Sequence, residues 1–573
     1  MGNHSSSPRK NINRNTIVEE DEARYSASYS STMETPGTSN SDSVGHKIPV
    51  VATKSEVRGW YAYDWANGAW FYCAMSFLPL IITSQARDVA IKAYTLANCE
   101  FNCENFTGWA TDFENVGGCA RPIFTNHTDC LANDSTWTAE IANDAKNVNI
   151  LGTFVNYASI AQYCTFISVI IQIIVFVSMG SFADYGENRK TMFIAFNTAG
   201  ILACLSGIFM ADDGLYWANG IIFIIGVVCF SFSVVFYNSY LPLLAAALPS
   251  VIDAKAKGIS PKLLAEMEFE ETQKISVNGL ATGFAGQFLF LVLSLPILWF
   301  VPETDLLNSR VVIFSVGVWV LIFTTYTFIQ LQTRPGPPLP DGESYCKKSV
   351  TSAYSTFKSF KELRQLGKYL IAYFVFSDGS STLAQTAAVF AQEELYMSQF
   401  QILLALLLVS ITAVVGCFIF KWIHEKFNVP AKTILVINLV FMMLIPIYGL
   451  VALTTKCEYY MCIALFGFNT GSQQAFTRSI FSHHMPHGRE AEYFSFYEIT
   501  DKGTAWLGPL VVAIVNQMTG SYRNALAALF FFFAAGIFLL CRFDPEQAVR
   551  EKQAFDAKAA AAKDEKAKPW LEL

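Results

Sequence analysis

Three charged residues lie close together inside an apolar stretch near the C-terminal end of the chain. Residues 492–509 read EYFSFYEITDKGTAWLGP, and the apolar character continues to about residue 518. The segment is long enough to span a membrane, yet it contains Glu498, Asp501 and Lys502. A charge at the centre of a membrane helix costs about 2.5 to 3.5 kcal/mol on insertion scales. Such residues predict either a structural ion-paired cluster or a site that handles a charged ligand or a proton.

The spacing of these residues limits how they interact. Glu498 and Lys502 are four residues apart with the acid first, which is the favourable order for an ion pair within one helix. Asp501 is three residues from Glu498 and shares roughly the same helix face. Two interpretations of Lys502 stay open. It is either an ion-paired or snorkelling structural lysine, or a cation that faces a cavity and holds a substrate carboxylate.

Acidic residues also lie in two other apolar stretches. Asp64 lies in YAYDWANGA, and Asp378 lies in YFVFSDGSST. An amino-acid ligand needs one anionic and one cationic partner, and these acids together with Lys502 supply both. We expect Asp64 and Asn67 to contact the ammonium group of such a ligand. The alternative for each aspartate is a cap at the start of a helix.

A polar face also occurs in the stretch that precedes the charged segment. Gly471, Gln474 and Arg478 are three and four residues apart, so they share one face of a helix. Gln474 is therefore a candidate substrate contact. We expect Arg478 to lie at the cytosolic end of this helix and to neutralise a nearby acid. The candidate acids are Glu490, Glu492 and Glu498.

The elements that must position these residues are membrane helices. The chain has 573 residues, of which 53% are hydrophobic and only 15% are charged, and its mean hydropathy is +0.34. Soluble chains usually carry about 25% charged residues. Runs of about 20 apolar residues, the length that crosses a bilayer, predict twelve spans in an all-α polytopic membrane protein. They are 60–84, 155–179, 191–211, 217–243, 274–300, 311–331, 367–391, 401–423, 431–454, 459–481, 494–517 and 523–542.

The predicted spans divide into two groups of six with similar features. Spans one and seven each carry an aspartate near one end, and spans five and eleven each carry glycines at helix-packing spacing. These glycines are Gly279, Gly283 and Gly286, and Gly503 and Gly508. Two parallel halves predict the major facilitator fold, with two six-helix bundles and a site between them near the midplane.

The predicted division of the chain follows from the same pattern. Its parts are a disordered cytosolic N-terminal tail (1–55), an N-terminal six-helix bundle (56–331), a cytosolic linker (332–366), a C-terminal six-helix bundle (367–543) and a helical cytosolic C-terminal tail (544–573). Lys and Arg are more frequent in the short loops on the side of both termini. This bias predicts that both termini are cytosolic.

The long segment 85–154 is predicted to form an outer loop of the N-terminal bundle. It carries four cysteines and three N-glycosylation sequons, which are typical of an oxidising, glycosylating compartment. Four cysteines allow three disulfide pairings, and the sequence does not choose among them. Free thiols and unused sequons are the alternative. The residues are Cys99, Cys103, Cys119 and Cys130, and Asn105, Asn126 and Asn133.

The loop after the second predicted span has the features of a conformational switch. Residues 180–190 read GSFADYGENRK, which resembles the loop signature of the major facilitator superfamily. We expect Gly180 to allow close helix approach. We expect Asp184 to form a charge-bonded latch at a helix end with Arg189 or Lys190. The alternative is a simple positively charged inner loop, and Arg478 is a further gating candidate.

The sequence lacks the motifs of several enzyme classes. The sequence has no P-loop, no Gly-x-Ser-x-Gly motif and no metalloprotease helix motif. We therefore predict no enzyme activity, no cofactor, and transport that is passive or gradient-coupled. No basic, aromatic-interleaved stripe points to nucleic acid. His483, His484 and His487 form a cluster without an obvious fourth ligand, so we predict no metal site. The opening MGNHSS fits myristoylation at Gly2, with an unmodified flexible tail as the alternative.

Five stretches carry a resemblance to one known family. They are GWYAYDWANGA, YNSYLPLLA, SVNGLATGFAG, FSDGSSTLAQTAAVFA and the block from residue 469 to 509. Together they resemble the autophagy-related protein 22 family, which are vacuolar amino-acid effluxers of the major facilitator superfamily. The resemblance implies export of neutral amino acids from a vacuolar or lysosome-like lumen to the cytosol by alternating access. We further expect a functional monomer in the lipid bilayer.

Other functions stay open at this point. A transporter of this fold could carry another small organic solute or a lysolipid, and it could lie in the plasma membrane. A non-transporting membrane receptor or adaptor is the alternative from another class. An open central cavity lined by Asp64, Asp378 and Lys502 favours a transporter, whereas a collapsed cavity favours a receptor.

Overall fold

The structure is a computed structural model that describes most of the apolar part of the chain. It describes residues 51–70, 75–95, 147–150, 153–301, 307–337, 339, 345–503, 507–519 and 521–567. The predicted lipidation, glycosylation and disulfide residues lie outside these ranges. They are Gly2, Asn105, Asn126, Asn133, Cys99, Cys103, Cys119 and Cys130.

The described part of the chain is almost entirely helical. The helices are α1 (Lys54–Ala69), α2 (Met75–Thr95), α3 (Tyr157–Met179), α4 (Asn188–Ser206), α5 (Tyr216–Ala246), α6 (Pro249–Ala256), α7 (Pro261–Phe300), α8 (Leu307–Gln330), α9 (Tyr345–Ser359), α10 (Arg364–Glu393), α11 (Gln399–Phe427), α12 (Ala431–Val451), α13 (Lys456–His484), α14 (Glu490–Lys502), α15 (Leu507–Thr519), α16 (Tyr522–Ala528), α17 (Phe530–Cys541) and α18 (Pro545–Ala567). Short 3-10 helices cover Gly180–Asp184, Gly207–Phe209 and Asp213–Leu215.

One small antiparallel pair of strands interrupts the helices. It consists of β1 (Asn147–Ile150) and β2 (Thr153–Asn156), with Asn147 opposite Asn156. The pair lies at the end of the predicted outer loop and leads directly into α3. It does not alter the fold class, which is all-α.

Eight helical segments of the described residues are long and apolar enough to cross a membrane by length and composition alone. They correspond to α3, α4, α5, α7, α8, α11, α12 and the pair α16 and α17. The long helices α10 and α13 are not among them, and these two helices carry Asp378 and Arg478. The more polar predicted spans are therefore the ones that carry the candidate site residues.

Three element boundaries differ from the sequence prediction. Predicted span five extends to Pro261 on its N-terminal side, because Ser260 caps α7 there and accepts a hydrogen bond from Leu263 N–H. The apolar run 494–517 contains two helices, α14 and α15, and α14 ends at Lys502. The segment 332–366, expected only as a linker, contains the 15-residue helix α9.

The two ends of the helical bundle are distinguished by their connections. At one end α8 finishes, α9 and α18 lie, and α14 begins, and we call this the linker end. At the other end α7 and α10 finish and α8 and α11 begin, and we call this the distal end. Helices α1–α8 form the N-terminal half and helices α10–α17 the C-terminal half.

Four of the five predicted glycines lie at close helix approaches, whereas Gly503 meets only Ile499 of its own helix. A Cβ on Gly279 of α7 would lie 2.5 Å from the Asp64 carboxylate of α1. A Cβ on Gly508 of α15 would lie 3.0 Å from the Asp378 carboxylate of α10. Each aspartate is thus packed against a glycine of the equivalent helix in its own half, and any larger residue would have to displace it.

Candidate functional site

A large cavity lies between the two halves of the molecule. Its volume is about 2050 Å³, and its wall includes residues of both halves. Leu80, Phe300 and Phe400 line it toward the distal end, and Asp64 and Arg478 line it at the linker end. Most of the lining is apolar, so the few polar and charged groups on the wall decide what the cavity binds.

A buried ion pair joins the two halves where the cavity ends. Arg478 of α13 places Nη2 at 3.4 Å from Oδ2 of Asp64 in α1, and both side chains are only 7% exposed. The guanidinium also donates to the hydroxyl and the carbonyl oxygen of Ser276 in α7, at 3.0 Å each. It lies 4.9 Å over the ring of Trp60, in cation–π geometry.

The partner of Arg478 differs from the sequence prediction. The predicted acids Glu490 and Glu492 bind Arg189 and Arg489 instead, and Glu498 connects to Arg478 only through an amide. Proximity along the chain suggested these acids, whereas the bundle brings α1 of the other half against α13. Asp64 is therefore committed to a protein cation, and we no longer expect it to be the first contact of a ligand ammonium group.

Asn238 of α5 connects Arg478 to the charged segment of α14. Its Oδ1 accepts from Nη1 of Arg478 at 3.4 Å, and its Nδ2 donates to Oε1 of Glu498 at 3.3 Å. We call Asp64, Asn238, Ser276 and Arg478 the linker-end gate. An asparagine suits this role because one side chain carries both an acceptor and a donor. The sequence signal was a polar residue within the apolar run of span four.

Lys502 lies on the cavity wall and pairs with its neighbour in sequence. Its Nζ lies 2.6 Å from Oδ2 of Asp501, and the two side chains keep 29% and 23% of their area exposed. Oδ1 of Asp501 accepts from the Tyr373 hydroxyl at 2.8 Å and also from the Ser377 hydroxyl, both on α10. The close ionic contact of Lys502 is therefore with Asp501, whereas the spacing in the sequence favoured Glu498.

The remaining candidate contacts divide between the cavity and the helix packing. Asn67 and Gln474 line the cavity, and Gln474 is exposed in it. Asp378 is 1% exposed, lies beside the first turn of α15 and is not among the lining residues. Gln287 was not singled out from the sequence, yet it is buried on the cavity wall and neither of its amide atoms has a partner.

A second set of charged residues joins the two halves at the linker end, farther from the cavity than the gate. Arg189 donates to Asp184 at 2.8 Å and to Glu490 at 3.0 Å, and all three side chains are nearly fully buried. Asp184 in turn accepts from the backbone N–H groups of Ala491 and Glu492 at 2.9 and 3.0 Å. Its carboxylate thus binds the N-terminus of α14, where a negative charge is favoured.

The other two residues of the predicted latch have separate roles. Gly180 lies against Ser495 of α14, where a Cβ would clash with the serine side chain. This position fits the expected close helix approach. Lys190 donates to the carbonyl oxygen of Leu331 at 2.5 Å, within the N-terminal half. Arg189 rather than Lys190 is therefore the basic residue of the latch, which we define as Asp184, Arg189 and Glu490.

Helix α9 reinforces this closure with a row of hydroxyl groups. The hydroxyl of Ser349 accepts a hydrogen bond from Ser181 of the N-terminal half at 3.0 Å. Ser352 and Thr356 donate to the Glu492 carboxylate at 2.9 and 2.6 Å. Their spacing places them on one helix face, so α9 binds both halves at once. In the sequence these residues belong to a Ser/Thr-rich run of the linker, and the composition of this run alone does not predict a contact with either half.

Comparisons with known proteins agree with this architecture. The family model described as vacuole effluxer Atg22 like matches residues 52–553. Autophagy-related protein 22-1 of Phaeosphaeria nodorum is 30% identical over 89% of this chain and 92% of its own. Autophagy-related protein 22 of Coccidioides immitis is 29% identical over 83% and 84% of the two chains.

Solved structures identify the fold. The crystal structure of the human organic anion transporter MFSD10 superimposes with a TM-score of 0.52 at 13% sequence identity, over 85% of this chain and 99% of that one. At this identity the likeness concerns the fold alone, which is the major facilitator fold with twelve transmembrane helices in two six-helix bundles. The chain belongs to the vacuole effluxer Atg22-like family.

Proposed function

We propose that this protein is a secondary transporter that exports neutral amino acids from a vacuolar or lysosome-like lumen to the cytosol by alternating access. In this proposal the linker end and both termini are cytosolic, and the distal end faces the lumen. The excess of Lys and Arg in the loops of the linker end supports this orientation. The family description supports both the compartment and the direction of transport.

The observation that carries the proposal is the partly exposed ion pair of Asp501 and Lys502 on a largely apolar cavity wall. A zwitterionic amino acid presents an ammonium and a carboxylate a few ångströms apart. Asp501 and Lys502 offer one complementary charge to each of these groups, with Nζ and Oδ2 2.6 Å apart. The ligand would replace one ion pair by two charge-assisted contacts. Its apolar side chain would then lie against the aliphatic and aromatic lining.

The buried contacts at the linker end support a cycle of alternating access. The gate, the latch and α9 all join the N-terminal half to the C-terminal half on that side, and the cavity extends from the gate toward the distal residues. This arrangement corresponds to a lumen-facing state that is ready to load substrate. Release to the cytosol requires these contacts to break and distal contacts to form.

A competition experiment tests the ligand class. Labelled L-leucine would be exchanged in proteoliposomes in the presence of excess unlabelled compounds. We expect competition by L-leucine and L-phenylalanine. We expect none from 4-methylpentanoate, which lacks the amino group, or from 3-methylbutylamine, which lacks the carboxylate. Equal competition by one of these single-charge analogues would contradict a site that requires both charges.

The size of the cavity favours one second candidate. A volume of about 2050 Å³ is larger than a single amino acid needs, and a zwitterionic lysolipid would fill more of it. Inhibition of leucine exchange by lysophosphatidylcholine below its micellar concentration, together with its own exchange, would favour that cargo. A non-transporting receptor is less consistent with the open cavity, since Asp64 and Lys502 both lie on its wall.

A further inference from the structure

The charged residues around the gate do not balance. Five of them line the same cavity: the carboxyl groups Asp64, Glu498 and Asp501, and the cations Arg478 and Lys502. We call these five residues the charge cluster. With every group ionised the cluster carries three negative and two positive charges, which leaves one net negative charge between the two halves.

The contacts indicate which carboxyl group is in excess. Asp64 binds Arg478, and Asp501 binds Lys502 at 2.6 Å as well as the hydroxyl groups of α10. Glu498 accepts from the neutral amide of Asn238 at 3.3 Å. It also lies one helical turn from Lys502, but that single ammonium is already in close contact with Asp501. Of the three carboxyl groups, Glu498 therefore has the weakest ionic contact with a cation.

The wider surroundings of Glu498 do not supply another cation. Helix α14 contributes Asp501, Lys502 and Tyr497, α13 contributes Arg478, α10 contributes Tyr373, and α1 contributes Tyr63. Helix α5 faces it with the neutral Asn238. Among the described residues that act on Glu498, the cations are the same two that already serve the other carboxyl groups.

Glu498 is only 5% exposed, so an uncompensated charge at this position has a high free energy. The effective desolvation penalty of a buried ion is several kcal/mol, and a buried acid without a counter-charge takes up a proton instead. We propose that Glu498 is the proton-binding site of the transporter and that each substrate moves together with one proton. This inference rests on the proposed function, whose substrate is a zwitterion.

The net charge of the substrate decides the type of coupling. A zwitterionic amino acid adds one positive and one negative charge to the cluster, so the excess of one carboxyl group stays the same when the ligand binds. In the loaded state Lys502 binds the ligand carboxylate, so it cannot also balance Glu498 and the proton is required. The proton and the substrate therefore travel in the same direction.

The step at the linker end is a simple acid dissociation. When the gate opens, water reaches Glu498, its O–H bond breaks, and a water molecule on that side accepts the proton. The remaining carboxylate is then hydrated. In the empty transporter Lys502 has no ligand carboxylate to bind, so it can balance the ionised Glu498 one helical turn away during the return. At the distal side Glu498 then takes a proton from hydronium of an acidic lumen.

The test separates exchange from gradient-driven accumulation in proteoliposomes that contain the full chain. Labelled L-leucine exchange at equal pH requires no net proton movement, whereas accumulation driven by a pH gradient does. For one proton per substrate, each pH unit sustains up to about tenfold accumulation. Wild type and the exposed-site control Glu270→Gln should accumulate leucine. Glu498→Gln should still catalyse measurable leucine exchange, because the neutral amide resembles the protonated acid, and it should accumulate none.

Two further measurements test the role of Glu498 and the proton coupling if Glu498→Gln does not fold. Glu498→Asp retains an ionisable group and should restore gradient-driven accumulation with a shifted pH profile. A pH-sensitive dye inside wild-type liposomes should report about one proton per leucine when leucine enters, even if Glu498→Gln does not fold. Net leucine entry into wild-type liposomes without any proton movement would overturn proton coupling and leave the transport function standing. Accumulation by Glu498→Gln equal to wild type would overturn the assignment of Glu498. Absence of leucine exchange in folded wild type would instead refute the proposed function itself.

Discussion

Lys502 lies in the last turn of α14, where the helix dipole favours a positive charge. Its contact with Asp501 lowers the cost of placing an ammonium group inside the bilayer, and its partial exposure to the cavity keeps it available to a ligand. Both interpretations of this lysine that the sequence left open therefore apply. It is ion-paired, and it faces the cavity.

The replacement Lys502→Ala should impair transport more than folding. Loss of a hydrogen bond to a charged group costs about 1.5 to 3 kcal/mol, which corresponds to a rise in KM for amino-acid exchange of about tenfold or more. Lys92→Ala removes a lysine that is 68% exposed and pairs with Asp213, and it should leave KM unchanged. The check is leucine exchange together with the melting temperature. A parallel loss of stability and transport would make Lys502 a structural residue.

The gate residue Arg478 should control which end of the cavity is open. In Arg478→Gln the buried Asp64 loses its cation, and breaking a buried pair in this way costs about 3 to 5 kcal/mol. We expect the linker end to open more often. Labelling of a Thr477→Cys reporter from the linker side should accelerate, because Thr477 is 1% exposed on the cavity wall. The parent protein without the reporter corrects for native cysteines.

The matched control for this change is Arg550→Gln in α18, whose side chain is 78% exposed. Its labelling rate should equal that of the reporter protein alone. If Arg478→Gln also labels at that rate, the ion pair with Asp64 does not hold the linker end closed.

At the scale of elements, the start of α14 is the part on which the closed end depends. Asp184 binds two of its free N–H groups, Arg189 links Asp184 to Glu490, and α9 holds Glu492. These contacts are made by side chains of different elements, but all of them bind the same short helix, α14. A small displacement of α14 would therefore break several of them together and also move Glu498 and Lys502 at its other end.

The change Asp184→Asn should weaken this closure without unfolding the bundle. The amide keeps one acceptor for α14, but the buried Arg189 loses half of its carboxylate partners. We expect the closed state to lose about 1 to 3 kcal/mol, the range for a buried polar group left without its partner. The Thr477→Cys reporter should label faster than in Glu187→Gln, which alters an exposed acid of the same loop. Equal labelling rates in Asp184→Asn and Glu187→Gln would mean that the latch does not hold the linker end closed.

The hydroxyl face of α9 is expected to act in the same direction. Thr356→Val keeps the shape of the side chain and removes the 2.6 Å hydrogen bond to Glu492. We expect faster exchange of backbone amide hydrogens in α9 and at the start of α14. Tyr354→Phe removes a hydroxyl group at a position of the same helix that is 72% exposed, and it should not alter the exchange. Unchanged protection in Thr356→Val would mean that α9 does not depend on this contact.

At the scale of the whole molecule, the sequence was sufficient for the fold and for the inventory of charges. Long apolar runs predict helices well, because a chain in lipid must satisfy its backbone groups within each segment. Gly279 and Gly508 were also identified correctly, and each packs against the aspartate of the equivalent helix in its own half, whereas Gly503 meets only its own helix. These features depend on residues close together in the chain.

The pairing of the charges could not be predicted in the same way. Arg478 and Asp64 are separated by 414 residues and meet only because the two halves pack face to face. The acids near Arg478 in sequence were better candidates by distance along the chain, yet Glu490 binds Arg189, Glu492 binds Arg489 and α9, and Glu498 binds Asn238. The break between α14 and α15 was also hidden, because the apolar composition continues across it.

The central claim is that the cavity transports neutral amino acids, and counterflow tests it most directly. Purified protein in liposomes loaded with unlabelled L-leucine would be diluted into a trace of labelled L-leucine, with no ion gradient imposed. We predict transient accumulation of label above equilibrium, reduced at least about tenfold in Lys502→Ala at low leucine concentration. Folded wild-type protein that shows no counterflow with leucine or any other neutral amino acid would contradict the account.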